Sequence, residues 1–305
     1  MQLSATRPMA GVARASRTRT REAIAGYLFV SPVVLGLLMF TLAPVLTALY
    51  YSFTHFDLLS SPRWIGLHNY QRLVGDALWW HSLAVTAEFA LVSVPLGLVC
   101  SFGLALLLHQ DVRGLRLWRA IFYLPVVFPA VAAALVWRAM YDPQSGVFDD
   151  LLARVHLPTI PWLQDPSTAI PSLILMSLWG IGGGMLLWLS GLQSVPKHLY
   201  EAASIDGANS WRRFWSVTAP MLTPIIFFNL VMGVIGSLQN FTQTFIMTQG
   251  GPMNATFFVV INIYQKAFQW FQMGYASAMA WALFLIIGVL TLLIFRSSGW
   301  VYYEG

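Results

Sequence analysis

The sequence predicts an all-α membrane protein with six transmembrane helices. Three observations carry that prediction. Of 305 residues, 57% are hydrophobic and 10% are charged, whereas soluble domains average about 25% charged. Six apolar runs each approach the ~20 residues that a helix needs to cross a bilayer. Lysine and arginine gather in alternate connections between those runs, as the positive-inside rule expects.

Residues 1–23 read as a basic tail, with Arg7, Arg14, Arg17, Arg19 and Arg21 among Ser, Thr and Ala. That composition predicts disorder. The uncharged run Ile24–Phe53 is too long for a signal-peptide core and has no Ala-x-Ala cleavage site. It is therefore the first span, with Pro32 and Pro44 as tolerated kinks. The other spans are Leu83–Leu108, Trp118–Met140, Ile170–Leu192, Thr218–Phe241 and Gly274–Phe295. Trp79, Trp80, Trp118, Tyr141, Trp270, Tyr275 and Trp300 stand near span ends, where amphipathic rings favour the membrane interface. The Asp142–Pro171 segment is rich in Pro and Asp, too polar to span, and connects spans three and four. No internal inverted repeat of the secondary-transporter kind is visible.

Orientation follows from charge. One side holds twelve basic residues: the five tail arginines, Arg113, Arg116, Arg119, Lys197, Arg212, Arg213 and Arg296. The other holds five, Arg63, Arg72, Arg138, Arg154 and Lys266, interspersed with six aspartates. Both termini and the 194–220 loop are expected in the cytoplasm. The net charge of +5 lies beside apolar spans, which points to lipid and away from nucleic acid.

Several chemistries are excluded. A phosphate-binding P-loop requires Gly-Lys-Ser/Thr. The two lysines, Lys197 and Lys266, are followed by His198 and Ala267. Neither His-Glu-x-x-His nor Gly-x-Ser-x-Gly occurs. The histidines (His55, His68, His81, His109, His156, His198) are scattered and read as interfacial polar residues. A single cysteine, Cys100, excludes an internal disulfide. No catalytic residue, metal site or cofactor is assigned to this chain.

The patterned stretch Ser194–Pro220 stands apart from the spans. Ser194 is a candidate helix cap, with Pro196 in the first turn where its missing N–H costs nothing. Lys197–Ile205 has helical propensity, and Gly207 suits a left-handed stop. Asn209 or Ser210 caps a second short helix through Trp211, Phe214 and Trp215. Physically, this hairpin fits either an anchor lying on headgroups or a dock for a partner.

Here the residues Glu201-Ala202-Ala203, Asp206-Gly207-Ala208 and Ala219-Pro220 resemble the EAA loop of permease subunits of binding-protein-dependent ABC importers. The likeness extends through Leu124-Pro125, Pro129, Trp137, Gly146 and Pro161–Pro166. It continues in Thr248–Pro252, Ala255-Thr256, Tyr264, Ala267-Phe268, Met273–Ala278 and the closing Tyr302–Gly305, motifs of the carbohydrate-uptake branch. One departure is Asp149, where that branch has Asn.

The resemblance implies a type I importer permease with a core near 82–296 and a cytoplasmic coupling helix within 194–220. Glu201, Ala202, Ala203, Asp206 and Gly207 would engage a cytoplasmic ATPase dimer that carries ATP and Mg. A second homologous permease and an extracytoplasmic solute-binding protein would complete the system, in a bacterial or archaeal cytoplasmic membrane. The cargo would be a sugar, or a related polyol or glycerol phosphate. By resemblance to the maltose-type permease, solute-facing positions fall on Ser177, Trp179, Gly180, Gly183, Gly233, Gly236, Ser237 and Asn240.

Two features of the spans support a pathway on physical grounds. Span five carries Asn229, Ser237, Gln239, Asn240 and Gln243, and intramembrane polar groups face a bundle interior or a cavity. Span four carries Gly182-Gly183-Gly184, expected to be flexible and to leave room for a ligand. Helix packing accounts for the same small and amide residues equally well. Glu88 is the lone acid within a span. It fits a pairing with Arg138, a watery vestibule, or the proton site of an ion- or proton-coupled secondary transporter. That transporter, and a membrane scaffold without transport, are the rival functions.

Overall fold

The computed structural model describes residues 11–110 and 113–301, with side chains from Glu22 onward. The expected tail arginines and the closing Tyr302–Gly305 lie outside the described side chains.

The first span is built from α1 (Gly11–Leu37), a π-turn over Leu38–Leu42 and α2 (Ala43–Ser52). The boundary expected at residue 23 falls inside α1. The π-turn lies just before Pro44, whose ring and missing N–H disturb the turn preceding it, so the kink is local. A short hairpin of β1 (Thr54–His55) with β2 (Arg63–Trp64) and helix α3 (His68–Gly75) follow.

Helix α4 (Ala77–His109) is the second span. Asp76 starts it, Oδ1 accepting from the N–H groups of Leu78 (2.9 Å) and Trp79 (3.3 Å), which satisfies the otherwise orphaned first-turn donors. At 33 residues it is about 50 Å long at 1.5 Å per residue, longer than the hydrocarbon core. Its buried positions, among them Trp79, Val85, Phe89, Ala105 and Leu108, contribute to all three larger apolar clusters. The rest of the bundle packs around it.

Span three is not one helix. Helix α5 (Leu115–Val127) and helix α6 (Ala130–Met140) meet at 97°. Pro125 and Pro129 each remove a backbone donor, and Phe128, preceding Pro129, is extended at φ −69°, ψ 135°, as steric contact with the proline ring demands. Helix α7 (Val147–Arg154) lies in the connection that follows. Span four is α8 (Pro166–Leu178) and α9 (Gly182–Ser194), bent by 47° across Trp179–Ile181.

Helices α10 (Lys197–Ile205) and α11 (Ser210–Arg213), a π-turn over Phe214–Thr218 and α12 (Ala219–Met221) lead to α13 (Thr223–Leu238). That helix stops at Gln239, short of the expected Phe241, and α14 (Thr242–Met247) resumes after the break. Helix α15 (Val259–Tyr264) and a π-turn over Gln265–Gln269 precede the last span, α16 (Met273–Arg296). Among the described residues, four spans satisfy length and apolarity as continuous runs, and up to six do when each bent pair counts as one.

The connections sort into two ends. His81 Nε2 lies 3.0 Å from the Asn254 carbonyl, the Gly274 N–H donates to Phe56 O at 3.0 Å, and Arg138 donates to Ile246 O at 3.3 Å. These join the connections after spans one, three and five. At the other end Arg119 donates to Leu108 O at 3.0 Å and Phe214 packs on Phe102. The basic connections and the 194–220 loop therefore share that second end.

Candidate functional site: a polar cleft and an exposed hairpin

A cleft of about 270 Å³ opens between α4, the α8–α9 bend and α13. On α4 it is lined by Phe89, Ser93, Gly97 and Ser101, spaced four residues apart so that they share one helix face. On α13 Asn229, Gly233, Gly236 and Ser237 form the opposing face, and Asn240 closes it at the helix break. Ser177, Ile181 and Gly184 form the third wall. Every polar lining group is a hydroxyl or an amide.

Five of the expected solute-facing residues thus come together: Ser177, Gly233, Gly236, Ser237 and Asn240. Trp179, Gly180 and Gly183 do not line the cleft. Trp179 packs on Phe128 and Trp137, with ring centroids 5.9 and 6.2 Å away, and Gly183 faces Val126. The triple glycine is also more constrained than expected. A Cβ on Gly182 would sit 2.1 Å from the Phe122 carbonyl oxygen, so this glycine lets α9 start directly against the α5 backbone. Only Gly184 borders the cleft, its position for a Cβ 3.2 Å from Ser101.

Ser93, Ser101 and Gly97 were not among the expected pathway residues. The available signal was their i, i+4, i+8 spacing in an otherwise apolar span.

At the opposite functional end, α10 has no buried residue. It ends in a double hydrogen-bonded stop: Ala208 N–H donates to Ala203 O at 2.9 Å and Gly207 N–H to Ser204 O at 3.1 Å. Gly207 takes φ +75° there, a left-handed value that glycine adopts without steric cost. Asn209 caps α11, accepting from Arg212 N–H at 2.9 Å. Arg213 braces the two helices through Ser204 Oγ at 3.1 Å. Ser194 does not cap α10. It closes α9, its hydroxyl donating to Gly191 O at 2.8 Å, and Pro196 occupies the start of α10 without a side-chain cap. Glu201, Ala202, Asp206 and Gly207 are exposed and Ala203 is half-buried. Ile205 is 87% exposed at the tip.

The other end carries a half-buried polar junction that sequence reasoning missed. Tyr275 OH donates to Asp76 Oδ2 at 2.6 Å, the Arg72 guanidinium lies 4.1 Å from the Tyr275 ring centre, and Arg72 also donates to Gln272 at 2.9 Å. Lys266 is buried with its Nζ 3.9 Å over the Trp270 ring. Burial pushes the Asp76 carboxyl upward, but the Tyr275 hydroxyl, the Trp79 and Leu78 amides and the Lys266 charge outweigh it and hold the group below the usual carboxylate value. Burial lowers Lys266, partly offset by Asp76. Among the expected interface aromatics, Trp79, Tyr141 and Tyr275 are instead buried. For the two tyrosines the reason is an internal acceptor, Ser172 O for Tyr141 at 2.8 Å and Asp76 for Tyr275.

Two further expectations are resolved. Arg138 does not pair with Glu88 but bonds the Ile246 carbonyl. Glu88 is exposed in a separate groove with His81, Pro166 and Ser167. Asp149 is 6% exposed, and its Oδ1 accepts from Ile160 N–H (3.2 Å) and Trp162 Nε1–H (3.1 Å). The carboxyl therefore pins the 142–166 connection.

Broken spans around a polar cleft, with a rigid helical hairpin protruding at one end, define a membrane permease subunit: a chain that shapes a path. The chain belongs to the family described as binding-protein-dependent transport system inner membrane component, whose pattern matches residues 93–302. It is 43% identical over 295 residues to the probable ABC transporter permease protein YesP of Bacillus subtilis (strain 168), covering 95% of each chain. To the trehalose/maltose transport system permease protein MalF of Thermococcus litoralis it is 34% identical over 262 residues, covering 85% of this chain and 87% of that one. The fold is that of type I ABC importer permeases. A chain of the bacterial alginate ABC transporter, crystallised with an alginate pentasaccharide-bound periplasmic protein, superposes with a TM-score of 0.82 at 20% identity, covering 92% of this chain and 96% of that chain.

Proposed function

We propose that this chain forms half of the translocation path of a sugar importer, with a second, homologous permease forming the other half. The observation that carries the cargo class is the lining of the cleft: serine hydroxyls, asparagine amides and no charged side chain. Hydroxyls and amides exchange hydrogen bonds with a polyol. Binding a phosphate monoester needs a cation, which this cleft does not supply, so a neutral sugar or polyol is favoured over glycerol phosphate. The names of the relatives support the same class.

An external solute-binding protein would deliver the sugar to the end that holds the Asp76–Tyr275 junction. The hairpin of α10 and α11 would lie in the cytoplasm, on the side with twelve basic residues, and seat in a cytoplasmic ATPase dimer. Glu201 and Asp206 would meet basic groups there, and Ile205 would enter an apolar pocket. ATP and Mg would act on the ATPase, with no cofactor on this chain. Closure of the ATPases would displace the hairpins and turn the bundles outward, and hydrolysis would reset them.

The test is uptake into proteoliposomes holding the whole transporter, with radiolabelled maltose and trehalose as probes. Uptake should need the binding protein and internal ATP and should survive a proton ionophore. Transport that persists without the ATPase, or that collapses with the proton gradient, overturns the reading in favour of a secondary transporter.

A further inference from the structure

Helix α4 contributes a wall to the cleft that no expectation assigned, and one hydroxyl on it behaves differently from its neighbours. Hydroxyls in helix interiors ordinarily donate back to a carbonyl three or four residues earlier. On α4, Ser82 donates to Trp79 O at 2.8 Å, Thr86 to Ser82 O at 2.7 Å and Ser101 to Leu98 O at 3.1 Å. Ser93 is only 8% exposed, yet among the described residues its hydroxyl has no hydrogen-bond partner. The hydroxyl oxygen is not fully buried; it opens onto the cleft that Ser93 lines, where a solute can reach it.

On α13, Asn229 spends its N–H on Ile225 O at 3.0 Å. Its carbonyl oxygen stands 3.7 Å from where a Gly184 Cβ would sit and lacks a donor among the described residues. Asn229 lies eleven residues before Asn240 in sequence, about 16 Å along a helical path. Asn229 therefore stands deeper, toward the hairpin end, than the Ser237–Asn240 group, beside Gly184 and Ser101, while Ser93 lies next to Val94, which faces Gly233.

We infer that Ser93 and Asn229 form an inner step of the solute path, at which one sugar hydroxyl exchanges a hydrogen bond with Ser93 Oγ and a second, deeper one donates to the Asn229 carbonyl oxygen. This rests on the sugar reading above. The step holds the solute after it leaves Asn240 and before it exits at the hairpin end. Ser93 is thus a specificity-determining residue that favours solutes with a hydroxyl at that depth.

The experiment offers assembled wild-type transporter in proteoliposomes an equimolar mixture of maltose, trehalose, lactose and glycerol, and identifies internalised solute by mass spectrometry. The same measurement is made on Ser93→Ala, Ser93→Thr and Asn229→Ala. Loss of one neutral hydrogen bond corresponds to roughly fivefold, so Ser93→Ala should lower the uptake rate at saturating binding protein about fivefold, and Ser93→Thr should restore most of it. The double variant should fall by about the product of the single effects, because the two residues serve different hydroxyls. Because the hydroxyl makes no contact within the chain, the melting temperature of Ser93→Ala should equal or exceed that of wild type, alanine being the better helix former. Wild-type uptake with an unchanged rate in Ser93→Ala, or a lowered melting temperature in that variant, overturns the inner step alone. If wild type internalises none of the mixture, the sugar reading fails and the inner step falls with it.

Discussion

The two ends of this bundle treat their polar groups in opposite ways. At the end with the Asp76–Tyr275 junction, polar side chains are consumed internally. Asn69 donates to both Ser52 O and Thr54 O at 2.9 Å, Tyr275 to Asp76, Arg72 to Gln272, and Asp149 ties Ile160 to Trp162. At the hairpin end, internal bonds brace the hairpin and its base, Arg213 to Ser204, Tyr200 to Thr218 and Arg119 to Leu108 O, and leave its tip unspent. Glu201, Asp206 and Ile205 stay outside. A surface that is rigid but unspent suits transmission of force to another chain. A surface that bonds to itself holds span ends in register. The difference teaches that the same bundle is clamped at one end and left open for engagement at the other.

The sharpest way to break this comparison is to insert bulk at a glycine on each side. A Cβ on Gly274 would lie 2.1 Å from the Thr54 carbonyl oxygen, a backbone atom that cannot step aside. Gly274→Val should abolish assembly of a folded complex, read by size-exclusion chromatography in detergent, because overpacking against backbone exceeds the 1–3 kcal/mol typical of flexible cores. Gly207 has open space around it but φ +75°, which proline cannot reach. Gly207→Pro, and separately Glu201→Lys, should leave membrane insertion intact and cut ATP-dependent uptake at least tenfold. Normal uptake in both variants would refute the hairpin as the coupling element.

A smaller effect is expected at Asp76, which caps α4 and accepts from Tyr275. Asp76→Ala should cost about 2–3 kcal/mol from a lost cap and a lost charge-assisted bond, visible as a lower melting temperature. Its depressed pKa fixes the sign with pH. The unfolded chain binds the proton first as pH falls, so the stability it supplies is present above about pH 4 and is lost as pH drops through the lower folded value. A melting temperature of wild type that does not fall faster than that of Asp76→Ala below pH 4 would sink the assignment.

The smallest change sharpens the picture of how that end is held. Asp149 Oδ2 is buried without a partner, so Asp149→Asn, keeping Oδ1 and its two bonds, should raise stability by up to about 1 kcal/mol. Asp149→Ala should lower it by a similar or larger amount. Thermal melts of the two variants moving in the same direction would contradict this account.

How far the molecule was readable depends on the range of the forces involved. The spans were legible because lipid demands a continuous apolar length. The hairpin was legible because its stop at Gly207 and cap at Asn209 act over four or five residues. The break in span three was visible as Pro125 and Pro129, yet a kink and a 97° bend have the same hydropathy. Only the packing of α6 against α14 and of α9 against α5 decides between them. The Asp76–Tyr275 bond joins residues 199 apart and Arg72–Gln272 residues 200 apart, and no local pattern announces such pairs.

Sequence alone specified an all-α membrane chain, its apolar spans, the basic connections and the shape of the hairpin within 194–220. Each of these follows from hydropathy, charge and backbone propensity within a few turns. The tertiary structure alone decided which polar residues share a cleft, that Trp179 and Gly183 do not, and that Tyr141 and Tyr275 are buried. In a bundle of nearly uniform apolar helices, rotation of a helix by one position moves a side chain from lipid to path. That rotation is set by interlocking contacts across the bundle, such as Gly182 against the α5 backbone.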